Sequence, residues 1–191
     1  MTLSLEEVMK RIFLIVIFSL MITSASAVFA QTNDAARIRT RDSLAALLEK
    51  AGPGINVDFR QSTKQPFNYV GVLKQGLVNA ESFEIVISVT PNETIGFRIY
   101  PHYKNGYINV DNVKNSAGMM RQLLRLSDRA FLFWGADESG DIFTGYTFTL
   151  ESGFPDEAIK IVLRSIVNSD KFIGELRPNI DGTAAAVTTA N

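Results

Sequence analysis

The sequence predicts an α+β domain, a twisted antiparallel sheet of about five to six strands flanked by helices, in the order α-β-β-β-(β)-α-β-β-α. Three observations carry that expectation. Runs of alternating apolar and polar residues follow one another across short turns, as in an antiparallel meander. Stretches with a helical period lie before, between and after them. The composition is that of an ordinary globular chain, 46% apolar and 20% charged over 191 residues.

The first element is an export signal. Met9-Lys10-Arg11 precedes an apolar run from Ile12 to Ile22, and small residues lead to Val28-Phe29-Ala30. A positive start, a short apolar segment and small residues at the cut make a signal peptide. Cleavage is expected between Ala30 and Gln31, with Ala25-Ser26-Ala27 as a second site. Glu6 and Glu7 dilute the positive start and point to Met9 as an alternative first residue. Thr23, Ser24 and Ser26 interrupt the run, whereas a spanning helix wants about 20 apolar residues. The expectation is a periplasmic or secreted domain over 31–178, with no stable membrane anchor after cleavage.

Leu44, Leu47, Leu48 and Ala51 share one helical face, and Gly52-Pro53-Gly54 stops that helix through a left-handed glycine end. Tyr69 to Leu73 reads as a strand. Phe83, Ile85, Ile87 and Val89 then alternate with Glu84, Ser88 and Thr90, and Phe97 and Ile99 with Arg98 and Tyr100, around a turn at Thr90-Pro91-Asn92-Glu93-Thr94. Lys104-Asn105-Gly106 is the next hairpin turn, leading into a strand over Tyr107 to Val110. From Asn115 to Asp128 the period is helical, with Met119, Leu123 and Leu126 on one face and Met120 and Leu124 beside them. Phe131 to Ala136 and Asp141 to Leu150 form a second hairpin, with Trp134, Phe131, Phe133 and Tyr146 expected in the core. Ile159, Val162, Leu163, Ile166 and Val167 mark the last helix, opened by Pro155, Asp156 and Glu157. Residues 179–191, mostly Ala, Thr and Gly, are expected to be a disordered tail.

Chemistry is sparse. Net charge is −1, from 19 basic and 20 acidic residues, so no field draws the chain to nucleic acid. There is no cysteine, which excludes disulfides, thiolate metal sites and cysteine nucleophiles. The single histidine, His102, sits between Pro101 and Tyr103 at an expected turn, without a nucleophile motif or a metal-ligand set around it. Asp137-Glu138-Ser139-Gly140-Asp141 has oxygen ligands at the wrong spacing for a calcium loop and reads as a hairpin turn. Asn92-Glu93-Thr94 is a chance-level glycosylation triplet. Arg121, Arg125 and Arg129 form a helical stripe opposite an acidic stretch, 130–157, that lacks lysine and arginine. The stripe is a candidate surface for a second copy or an anionic partner, against the simpler reading of a solvated helix face. No cofactor, metal or catalytic set is expected.

Phe131-Leu132-Phe133-Trp134-Gly135-Ala136-Asp137, Gly140-Asp141-Ile142-Phe143 and Phe154-Pro155-Asp156-Glu157-Ala158 resemble the YbjN family, bacterial proteins described as sensory-transduction regulators. The resemblance implies a fold like that of type III secretion chaperones and a role in binding or dimerisation, with no catalytic residue to transfer. The leader departs from that family's intracellular pattern. The sequence therefore points to an exported, non-enzymatic binding or chaperone-like protein that holds a peptide or protein partner, as a monomer or homodimer, through its sheet or by strand addition. The alternative is a periplasmic hydrolase using carboxylates near Asp137 and Asp141.

Overall fold

A computed structural model describes residues 34–92 and 94–183. The leader with Ala30 and Gln31, residue Glu93 and most of the expected tail lie outside the described residues. The chain falls into two compact units, one ending at Arg39 and one beginning at Thr40. The described part of the first, 34–39, is helical; the rest of the description concerns the second.

Helix α1, described to residue 51, is followed by a 3-10 turn at Pro53–Ile55. Then come β1 (Arg60–Gln61), β2 (Asn68–Leu73), β3 (Ser82–Val89), β4 (Thr94–Tyr103), β5 (Gly106–Tyr107), α2 (Ser116–Arg129), β6 (Phe133–Ala136) and β7 (Ile142–Thr149). The chain closes with α3 (Asp156–Ser165), a 3-10 turn at Ile166–Ser169 and α4 (Asp170–Asp181). The strands form one open antiparallel sheet in the order β1-β2-β3-β4-β7-β6, with β5 hairpinned onto the end of β4. The predicted α+β class and element order hold.

Period-two alternation decides which side of the sheet is buried. Phe83, Ile85, Ile87 and Val89 of β3 and Ile95, Phe97 and Ile99 of β4 are at most 1% exposed, and all point to the same face. They share one core with Leu44, Leu47 and Leu48 of α1, Met119, Leu123 and Leu126 of α2, Ile159, Val162 and Leu163 of α3, and Ile173 and Leu176 of α4. Each such side chain contributes about 1.5–3 kcal/mol by leaving water, which makes this helical side the seat of stability.

Several expectations are corrected. Gly52 ends α1 in a right-handed conformation; it is glycine because a Cβ would lie 2.4 Å from the Val57 carbonyl oxygen. The positive φ angles of the β4–β5 turn fall on Lys104 (53°) and Asn105 (66°), one residue earlier than expected, so Gly106 already belongs to β5. Beyond Tyr107 the expected strand reduces to one bridge, Asn109 to Asp141. Met120 and Leu124 are exposed on α2, and Val167 lies outside the buried face of the α3 region, where a 3-10 turn changes the helical phase.

The largest difference is α4, which carries Asn179 to Asp181 in a helix rather than in a tail. It docks through backbone bonds from Lys114 N–H to the Ile180 carbonyl (3.2 Å) and from Asn115 N–H to the Asn179 carbonyl (3.0 Å). Its first residue, Asp170, is only 5% exposed. The Asp170 carboxylate accepts the N–H groups of Val78 (2.7 Å), Asn79 (3.0 Å) and Ala80 (2.7 Å), while Arg177 donates to the Asn79 carbonyl (2.7 Å). Backbone donors thus replace the water that a buried carboxylate requires, and they fix the β2–β3 connection to α4.

Candidate functional site

The helices leave the other face of the sheet as a surface of side chains, and the pairing register lays these out in rows across the strands. One row runs Val72, Glu84, Tyr100, with Phe143 and Gly135 beyond. The next runs Val70, Val86, Arg98, Gly145, Phe133, and a third Asn68, Ser88, Gly96, Thr147. His102 pairs with Tyr107 at the β5 end.

Two cross-strand pairs build the aromatic end of this face. Phe133 of β6 stands opposite Gly145 of β7, and Phe143 of β7 opposite Gly135 of β6, so each ring lies over the bare backbone of the neighbouring strand. The two rings meet edge to face at 5.8 Å. The Arg98 guanidinium covers Phe143 at 4.8 Å and Tyr100 flanks it at 5.8 Å, which is why Phe143 is 7% exposed although it points away from the helices. Phe133 remains 41% exposed and Tyr107 44%. The expectation that Phe131 and Phe133 are core is therefore overturned, since both are exposed; Trp134 is buried and Tyr146 packs against the core. The repeated Phe-x-Gly spacing, Phe133 to Gly135 and Phe143 to Gly145, is the sequence signal for this platform. Antiparallel pairing sets each phenylalanine of such a repeat across from a glycine.

Beside the platform, the Tyr107 hydroxyl donates to Glu84 Oε2 (2.9 Å), and His102 Nε2 lies 4.0 Å from the same oxygen. Burial, then the Glu84 carboxylate, push the Tyr107 phenol up to about 12. Tyr100 is also raised, mainly by burial, with Arg98 opposing. His102 lies in β4 rather than in a turn, its ring 4.3 Å from that of Tyr107. Tyr107 and Glu84 are committed to each other, His102 Nε2 is buried without a hydrogen-bond partner, and the group includes no activated nucleophile.

The chain matches no family model, no curated protein and no solved structure.

Of the remaining site residues of the sequence reading, Asp137 lies beside the Tyr100 phenol at the margin of this face and also serves local structure. Asp137 Oδ1 accepts the N–H groups of Ser139 (2.9 Å) and Asp141 (3.0 Å), and Asp141 accepts from Asn109 Nδ2 (2.9 Å), so the acidic turn is held by its own backbone. Among the described residues no three acid or histidine side chains converge as a metal-ligand group. Arg129 pairs with Glu175 and lies over Phe172 (5.6 Å). Arg121 and Arg125 are exposed, as is Arg129. A cleft of about 390 Å³ near Ile55, Leu163 and Arg164 contains no acid. No described helix is long and apolar enough to cross a membrane.

One edge of the sheet is partly occupied by a side chain. Ser127 of α2 donates its hydroxyl to the Trp134 carbonyl (2.9 Å) and accepts the Trp134 N–H (2.8 Å), occupying outward-facing groups of edge strand β6. At the opposite edge the two-residue strand β1 covers only Tyr69 and Val70 of β2, and no described strand pairs with its outer side.

Proposed function

We propose that this chain is an exported, non-enzymatic binding protein that holds a segment of a protein partner on the open face of its sheet. The observation that carries the reading is the cross-strand surface running from Val72 through Tyr100 and Arg98 to Phe133. It combines exposed aromatic area, a guanidinium and hydroxyls, the ingredients of protein recognition surfaces. At the β6 edge the Ser127 bonds to Trp134 favour the face over strand addition.

A photo-crosslinking residue placed at Phe133 tests this in the native envelope. The expected result is a discrete set of crosslinked products that is missing when the same residue replaces Lys50, on α1. Equal labelling from both positions removes the face as the contact surface. Cleavage between Ala30 and Gln31 is checked by N-terminal sequencing of the exported chain. A homodimer through α2 is a second reading, supported by Arg121 and Arg125, which no described carboxylate pairs; reversing both to Glu then weakens self-association in sedimentation, and an unchanged profile excludes that contact.

A further inference from the structure

Gly96 is the third residue of β4, the strand that pairs with β3 and β7, between Ile95 and Phe97, which are buried on the helical side. A glycine inside a strand weakens it, because it loses more freedom on folding and packs no side chain. Where the fold requires a glycine, the reason is visible: a Cβ at Gly145 would lie 2.4 Å from the Phe97 carbonyl oxygen, and one at Gly71 would lie 2.5 Å from Val57. At Gly96 a Cβ meets nothing within 4 Å, and the backbone is not left-handed. Neither crowding nor conformation asks for glycine there.

Its neighbours across the strands are short and polar. Ser88 and Thr147 pair with Gly96 on either side, and Asn68 follows beyond Ser88. In the adjacent row, Val70, Val86, Arg98, Gly145 and Phe133, the Arg98 side chain and the Phe133 ring lying over Gly145 stand higher. The open face is therefore stepped, with a trough over Gly96 beside a ridge. A strand-interior glycine of this kind marks a place where another backbone approaches closely.

We infer that the trough seats an extended polypeptide running across the strands, with a small residue over Gly96 and a carboxylate directed to Arg98. The inference rests on the reading of the open face as a protein-binding surface. Strands lie about 4.8 Å apart, so crossing from Asn68 to Thr147 spans about 14 Å, roughly four extended residues. The Ser88 and Thr147 hydroxyls offer hydrogen bonds to peptide groups, which lets the trough accept a backbone with little regard to side chains. The acidic preference follows from Arg98. Its guanidinium is stacked on Phe143, and no described carboxylate forms an ion pair with it, so a carboxylate on the partner completes it.

A random dodecapeptide display library panned on the full chain tests the proposal, followed by titration of the selected peptides. The expected peptides share Gly, Ala or Ser within a few positions of Asp or Glu. Gly96→Val leaves the thermal midpoint unchanged or higher and weakens those peptides at least tenfold, while Arg98→Gln removes the acidic preference. Full binding by Gly96→Val together with loss in Phe133→Ala overturns the trough and leaves the face reading standing. Peptides that bind wild type, Gly96→Val, Arg98→Gln and Phe133→Ala alike overturn the face reading too, as does a library from which nothing is enriched.

Discussion

The two sides of β4 show how one strand serves two purposes. Ile95, Phe97 and Ile99 meet the helices and are at most 1% exposed, while Gly96, Arg98 and Tyr100, interleaved with them, look outward. On the inward side every position is filled by a large apolar group, and the helices of α1 to α4 complete the packing. On the outward side the residues are chemically mixed, and their contacts are mostly with one another. Stability is therefore concentrated on one side, and recognition is free to develop on the other with little consequence for folding.

The sharpest way to break this comparison is to truncate one ring on each side. Phe97→Ala is expected to cost about 3–5 kcal/mol in denaturant unfolding, because it removes a fully buried ring and leaves a cavity. Asp170→Ala follows at roughly 3 kcal/mol, since it strands the N–H groups of Val78, Asn79 and Ala80, and faster hydrogen exchange at those amides is the local readout. Phe133→Ala is expected to cost about 1 kcal/mol or less, since its ring already faces water, while reducing crosslinking and peptide binding. Equal losses for Phe97→Ala and Phe133→Ala would defeat the distinction between the sides.

The smallest effect is alkaline. The folded Tyr107 phenol, raised from 10.0 to about 12, keeps its proton where the unfolded chain has lost it. Its stabilising contribution is therefore full below pH 10 and fades as pH climbs toward 12. Tyr107→Phe should flatten the fall of the unfolding free energy over that interval; an unchanged slope would show that burial and Glu84 do not hold the phenol protonated in solution.

Much of this architecture is legible in the residues. Alternation through Phe83 to Val89 and Phe97 to Ile99 gives the strands and their buried side, and the period of Met119, Leu123 and Leu126 gives α2 with its face. The open face was harder to read, because its rows depend on register, which the sequence specifies only through several strands at once. Phe133 looks like core until Gly145 is known to stand opposite it. Helix α4 is missed for a different reason: Pro178 and the nearby Ala, Thr and Gly suggest a chain running out, yet Phe172, Ile173, Leu176 and Ile180 supply enough apolar surface to dock it. Nothing local announces that Asp170 reaches a loop so distant in the chain.

That reach bears on the timing of assembly. The acceptor for Val78, Asn79 and Ala80 lies 92, 91 and 90 residues downstream. A chain delivered amino end first can hydrogen-bond β2 to β3 early but cannot lock the bend between them until α4 has emerged. The latch makes completion of the native state contingent on α4, so a product truncated before Asp170 stays conspicuous to proteolytic surveillance at that bend.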